Sequence, residues 1–450
     1  MIKRMPPRNR GLSLGLRTWI VGSLIGVSLV CCPASAGTSA NSINPVVPVD
    51  TRMALVDARG FPRLLGMNIA KDTLQLPTYQ ANLARLDVVI LGFYPGWNKL
   101  KSPHPIRDAV RAIKALNPNL LVGLYTVLNE AQGDQPRYAM YRDKAFKLNK
   151  ENWWLRKADG NKTQWTNQYD AWDINITEWT KPDFNNMRYP EWLAERDYRL
   201  FFGPTPEFDI WYFDNVMSFQ RIEKADWDLD GQDETGKDQR IQAAFQHGMA
   251  SHWDHARKLA PKLLLMGNTD NDLSSPAYMN QLQGAFLEGL MGHSWSLEHG
   301  AGWGKMMDRY HSVFANLAAP RLVGFNVSGQ VDNYQFFRYA YTSCLLDDGY
   351  FSYTDEKVGY SSVPWFDEYD VKLGKAVDPP QLRPWRDGVY RRRFDYGLVM
   401  ANPTDSKKRV VVEAGYRRLT GRQAPEVNNG SAVSELIIPA RDGIVLIQNR

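Results

Sequence analysis

Eight short apolar runs recur along the first 355 residues, each nearly continuous in Val, Ile, Leu, Met and aromatic residues. They are Leu64–Asn68, Asp87–Leu91, Leu120–Val127, Phe208–Asp214, Leu263–Gly267, Gly284–Glu288, Leu322–Val327 and Tyr350–Tyr353. Runs without polar alternation are the pattern of strands buried on both faces, which is how parallel strands sit under helices. Amphipathic segments fall between most of them. Helices are predicted over 104–116, 238–259, 304–318 and 330–347. Strand–helix alternation repeated eight times predicts an α/β fold, a (β/α)₈ TIM barrel, over residues 56–385. An open doubly wound sheet is the rival arrangement. The first strand is not followed by a Gly-rich phosphate loop, which disfavours its nucleotide-binding form.

The pattern changes after residue 385. Runs such as Lys408–Glu413, Glu435–Ile438 and Gly443–Gln448 are separated by Asn402-Pro403, Asn428-Asn429-Gly430 and Arg441-Asp442-Gly443. These turn signals predict a small C-terminal antiparallel β domain over 386–450, sandwich-like in character.

At the other end, a basic stretch precedes an apolar run from Thr18 to Cys32, and Ala34-Ser35-Ala36 supplies a small-x-small site. The run has about 15 residues, short of the ~20 that span a bilayer. A cleaved signal peptide over residues 1–36 is expected, then a polar, Pro-rich linker over 37–55. A membrane anchor, or a lipoprotein modified at Cys31 or Cys32, is the alternative, although Val30 and Cys31 stand where a small residue is wanted. The expected destination is secreted or periplasmic, with no membrane association after cleavage. Cys344 alone would remain, so no intramolecular disulfide is expected, and its apolar helix makes it a core residue.

Charge then changes its meaning. The formal net charge of +5 resides in the first 36 residues, which hold five basic groups and no acid. The rest balances 49 Lys and Arg against 49 Asp and Glu. That balance argues against a nucleic-acid partner. The aromatic share of 12% is high, and the segment of about 80 residues between the third and fourth strands is rich in it: Trp153, Trp154, Trp165, Tyr169, Trp172, Trp179 and Trp192. Such an insertion belongs on the C-terminal face of the barrel.

Chemistry in a (β/α)₈ barrel sits where the strands end at that face. The polar residues there are Asn68, Tyr94, Thr126, Asp214, Asn268, Glu288 and Asn326. Asp214 and Glu288 are carboxylates closing apolar runs, one strand apart, where burial of an acid needs a purpose or a partner. Facing carboxylates suit glycosidic cleavage: one protonates the leaving oxygen, and the other attacks the anomeric carbon or activates water. Tyr94, Trp97, Tyr125 and Trp295 offer rings to sugar C–H faces, while Asn68, Asn268 and Asn326 offer amides to hydroxyls. Each of these has a plainer alternative as packing, a turn cap or a salt-bridged acid.

Asp226, Asp228 and Asp230, with Gly231 sixth, match the first half of a calcium loop. The twelfth position is Lys237 instead of Glu, so a different loop closed by Asp233 or Glu234 is the form open to it. No cofactor is otherwise required; structural calcium is the one candidate. His252 and His255 share a helix face, but a zinc site lacks its third ligand. Neither H-E-x-x-H nor G-x-S-x-G occurs.

The YFDNV and FLEG strands, with the C-terminal RRFDYGLVMANPT…IPARDGIVLI pattern, resemble the hypothetical glycosyl hydrolase family fifteen type over roughly residues 60–450. More distantly they resemble the polygalactosaminidase and α-galactosidase-like barrels. The resemblance implies a strand-four Asp nucleophile and a strand-six acid/base, here Asp214 and Glu288. It implies a glycoside hydrolase acting on a poly- or oligosaccharide. Rival readings are a non-catalytic carbohydrate-binding barrel and a transglycosylase using the same pair. Sugar, linkage, stereochemistry and oligomeric state stay open at this level.

Overall fold

The computed structural model describes residues 49–69, 73–93, 102–133, 139–167, 170–269 and 273–449. Eight strands form one parallel sheet: β1 (Leu65–Asn68), β2 (Val88–Leu91), β3 (Leu121–Val127), β4 (Ile210–Asp214), β5 (Leu264–Asn268), β6 (Gly284–Met291), β7 (Leu322–Gly329) and β8 (Tyr350–Asp355). Their order in the sheet is their order in the chain. A parallel bridge from Leu64 to Phe351 brings the two edges together, so the sheet nearly closes into a barrel. Seven of the eight runs read from the sequence end within two residues of these strands; β6 runs three residues beyond Glu288.

Among the described residues the α-helices are α1 (Val49–Arg59), α2 (Pro77–Leu83), α3 (Pro105–Leu116), α4 (Ala139–Glu151), α5 (Tyr189–Asp197), α6 (Gln239–Leu259), α7 (Leu297–Ala301), α8 (Trp303–Val313) and α9 (Tyr334–Leu345). Local signals explain their starts. Pro105 takes the first turn of α3, where its missing N–H costs nothing. Asp238 caps α6 by accepting from the Arg240 amide, and Asn333 caps α9 by accepting from the Phe336 amide. The β5–β6 connection has no helix among its described residues. Nor is the stretch expected as a linker wholly irregular: its last residues, from Val49 on, form α1. The reason is burial: Met53 of α1 lies with the barrel interior residues Leu65, Val88, Ile90 and Leu121.

Strand parity sorts the side chains. Leu121, Ile210, Tyr212, Leu264, Met266, Phe286, Leu322 and Tyr350 fill the interior. Their neighbours Val122, Trp211, Phe213, Leu265, Leu287, Val323 and Phe351 face outward into the layer beneath the helices. Gly324 makes room for Phe286, whose ring lies where a Cβ would stand.

β9 (Tyr390–Phe394), β10 (Gly397–Asn402), β11 (Lys408–Arg418), β12 (Ala432–Ile438) and β13 (Asp442–Gln448) make a five-stranded antiparallel sheet, ordered β9-β10-β13-β11-β12. It is a single sheet instead of two stacked ones. The long β11 shifts register against β12 between Val411 and Tyr416, and its end from Tyr416 to Arg418 also pairs with β13 on the other edge. One face holds its own apolar cluster, including Leu398, Val410, Leu436 and Ile444. Against α9, Gly443 comes so near Thr342 that a side chain there would collide. The buried Arg338–Asp442 ion pair, at 2.8 Å, pins the sheet to α9. No helix among the described residues is long and apolar enough to cross a membrane.

Candidate active site

Parity decides which polar residues meet. Tyr125, Asp214, Asn268 and Glu288 each continue the inward-facing series of their strand, beyond Gly123, Tyr212, Met266 and Phe286. They occupy adjacent strands β3, β4, β5 and β6 at the C-terminal mouth, and all four are half-buried. Asn268 stands in the middle. Its Nδ2 donates to Asp214 Oδ1 at 2.9 Å and to Glu288 Oε2 at 2.7 Å. A single amide nitrogen therefore bridges both carboxylates and holds their facing oxygens within two hydrogen-bond lengths of each other.

The outer oxygens have phenolic donors. The Tyr125 hydroxyl donates to Asp214 Oδ2, and the Tyr360 hydroxyl to Glu288 Oε1. Tyr125 stacks on Tyr212, with centroids 5.8 Å apart, which fixes its ring from below. Each acid thus accepts from a tyrosine hydroxyl and from the shared amide. Tyr360 comes from the loop after β8, where strand patterning gave no signal for it.

Glu288 does not end its strand, contrary to the expectation. It opens a bulge: β6 pairs with β7 in one register at Leu287 and in a shifted one by Met291. Gly289 follows at φ +61°, and a Cβ there would strike the Trp295 ring. Glycine is therefore required both by the backbone and by the ring above it. Asn326 accepts from the Gly289 amide at 3.0 Å and donates to Ser352 Oγ and Thr354 Oγ1. The bulge re-aims Glu288 at the mouth, and Asn326 holds the bulge.

Other expected contacts fall elsewhere. Asn326 is 1% exposed and engaged as above, so it supports the acid instead of meeting substrate. Asn68 is also turned away: Leu65 and Met67 face the interior, and Asn68 points outward to Tyr79 of α2 and the Ser362 carbonyl. Trp295 is half-buried beside the acid, stacked on His293 at 4.5 Å. Burial pushes the His293 pKa down. Tyr94 and Trp97 lie outside the described residues. Trp153 and Trp154 of the insertion are buried and form part of its core. His252 is fully buried against the Pro190 carbonyl, and burial pushes its pKa down to about 4. It is a neutral core residue. Cys344 is buried too.

The acidic loop draws its carboxylates together. Asp226, Asp228 and Asp230, joined by Glu234, place ligand oxygens within 4.8 Å of one another. Arg240 pairs with Asp228 at 2.6 Å. Burial, and then the charges of Asp228 and Asp226, push the Glu234 pKa upward against the Trp227 amide that it accepts.

A parallel barrel with paired carboxylates at its C-terminal mouth defines a glycosidase class of site. Residues 114–398 match the family described as Hypothetical glycosyl hydrolase family 15. The chain belongs to that family and is a glycoside hydrolase. No curated protein matches it in sequence. Among solved structures it is similar to Eubacterium rectale Amy13B, at 10% identity and TM-score 0.50, over 87% of this chain and 96% of that one. An Anoxybacillus alpha-amylase is similar at 10% identity and TM-score 0.48, over 88% and 99% of the two chains. The glycoside hydrolase domain of PelA from Pseudomonas aeruginosa gives 14% identity and TM-score 0.40, over 68% and 98%.

Proposed function

We propose that the enzyme cleaves O-glycosidic bonds of a poly- or oligosaccharide with retention of anomeric configuration. The observation that carries this is the Asn268 amide bonded to both acids. Retaining enzymes hold their carboxyl groups ~5–5.5 Å apart, whereas inverting ones leave ~6.5–9.5 Å for an intervening water. Two acids on one nitrogen fit the shorter spacing.

In the first step the Glu288 carboxylic acid gives its proton to the glycosidic oxygen. Asp214 attacks the anomeric carbon, the bond to the leaving sugar breaks, and a glycosyl ester forms on Asp214. In the second step Glu288, now a carboxylate, takes a proton from water. The water oxygen attacks the same carbon and releases Asp214. Tyr125 and Asn268 hold Asp214 in position through its two oxygens. Tyr360 and Asn268 stabilise Glu288 in the half of the cycle when it is charged.

The test follows reducing ends on a panel of starch, pullulan, dextran, polygalactosamine and bacterial exopolysaccharides, with wild type, Asp214→Asn and Glu288→Gln. Cleavage by the wild type with a loss of roughly 10²-fold or more in both variants supports the assignment. Full activity in either variant refutes its role.

We further propose that Asp226, Asp228, Asp230 and Glu234 hold a structural calcium ion. Four carboxylates so close repel one another, and Arg240 offsets one of them. The signal pattern of residues 1–36 supports export to the periplasm or the medium, which N-terminal sequencing of the mature protein tests.

A further inference from the structure

The rim of the mouth between β3 and β4 carries a cluster that the two acids do not use. Trp165 sits there, 38% exposed and held by contacts that include a hydrogen bond and a cation. Its indole N–H donates to Glu130 Oε2 at 2.8 Å, and the Arg221 guanidinium lies 3.9 Å from its ring centre. Arg221 donates to the same Glu130 oxygen at 2.8 Å and to Asn215 Oδ1 at 3.4 Å. Asn215 is the residue after Asp214 and has φ +56°. Arg221 therefore links the partly exposed indole to Asn215, the residue next to Asp214.

A second observation points to a ligand. Three polar atoms of this cluster are buried without a hydrogen-bond partner: Asn129 Oδ1, Asp173 Oδ2 and Arg221 Nε. Asp173 is 6% exposed and Asn129 7%. Asn129 also reaches the Asn215 carbonyl at 3.5 Å, and Asp173 is paired in register with Glu130. Two acceptors and a donor left unmatched beside an apolar ring are what a pyranose supplies. Its C–H face covers the ring, and its hydroxyls both donate and accept.

We propose that Trp165, held by Glu130 and Arg221, is the stacking platform of a sugar subsite adjoining Asp214. The enzyme then grips a second pyranose unit besides the one it cleaves, so its substrate is a chain. Because the indole is already immobilised, binding costs little side-chain entropy. The inference rests on the catalytic reading above for its place in the reaction, but its binding can be read separately.

The experiment compares wild type, Trp165→Ala and Trp165→Phe on the polymer cleaved in the panel, with thermal unfolding as the control for folding. Trp165→Ala is expected to raise KM about tenfold, and Trp165→Phe, which keeps a ring, to stay within about threefold of wild type. A KM for Trp165→Ala equal to wild type overturns the subsite while leaving the Asp214 and Glu288 roles standing. Where the wild type cleaves none of the polymers, the same three proteins are run on affinity gels cast with each of them. Retardation that Trp165→Ala loses supports the subsite even though the catalytic reading has failed. Equal migration of all three overturns it.

Discussion

Replacing Asn268 by alanine tests the geometry at its centre. The substitution removes one donor from each of two carboxylates, at 2.9 Å and 2.7 Å. A hydrogen bond to a charged group contributes about 1.5–3 kcal/mol, and water entering the gap recovers part of it. A net loss of about 3 kcal/mol in the transition state corresponds to roughly a 10²-fold fall in kcat/KM. Folding responds differently. Asn268 Oδ1 is buried without a partner, so the wild type already bears a desolvation cost that alanine removes. The midpoint of thermal unfolding is therefore expected to hold or rise while activity falls. Asn268→Asp, which has nearly the same shape, puts a third carboxyl between two others and is expected to be the weaker enzyme. The assay is kcat/KM on the cleaved polymer beside thermal unfolding. A kcat/KM for Asn268→Ala within threefold of wild type, or an Asp variant as active as the Ala variant, refutes the bridging argument.

Three further outcomes follow from named contacts. Tyr360→Phe removes the hydroxyl that donates to Glu288 Oε1, and the loss of one bond to a carboxylate is expected to lower kcat/KM by roughly tenfold with the thermal midpoint little changed. A kcat/KM equal to wild type counts against this role. Asp173 is pushed up to about 7, first by burial and then by the charge of Glu130, with Arg221 opposing. The folded state therefore binds this proton more tightly than the unfolded chain; stability is fully present near pH 4 and is lost as pH rises through 7. Asp173→Asn is expected to match wild type in urea unfolding at pH 4 and to exceed it by on the order of 2–4 kcal/mol at pH 8, and an equal difference at both pH values contradicts this. Calcium at a hundredfold excess over its Kd is expected to stabilise the wild type by about 2.7 kcal/mol, and Asp228→Asn to abolish the response. A wild-type melting curve indifferent to calcium and chelator removes the cation from the acidic loop.

The barrel was legible because its strands are continuous apolar runs, and Asp214, Asn268 and Glu288 stood out as the polar residues at the C-terminal ends of those runs. Strand parity, applied to β1, shows Asn68 facing outward, since Leu65 and Met67 take the interior. The bulge after Glu288 was not legible as such, although its Gly289 stands in the sequence. A register shift depends on the neighbouring strand, here on the bond from Gly289 to Asn326, 37 residues away. Tyr360 and Arg221 escaped notice because they come from irregular segments, where no period marks which side chain turns inward. Trp153 and Trp154 show the limit of composition: an aromatic-rich insertion supplies rings to its own core as readily as to a cleft.

The most direct test of the retaining assignment is the anomeric configuration of the first product, followed by proton NMR during cleavage of the responsive polymer. Carboxylates joined through the one Asn268 nitrogen predict a product of the same configuration as the bond broken. An initially inverted product would contradict both the covalent role of Asp214 and the spacing from which it was derived.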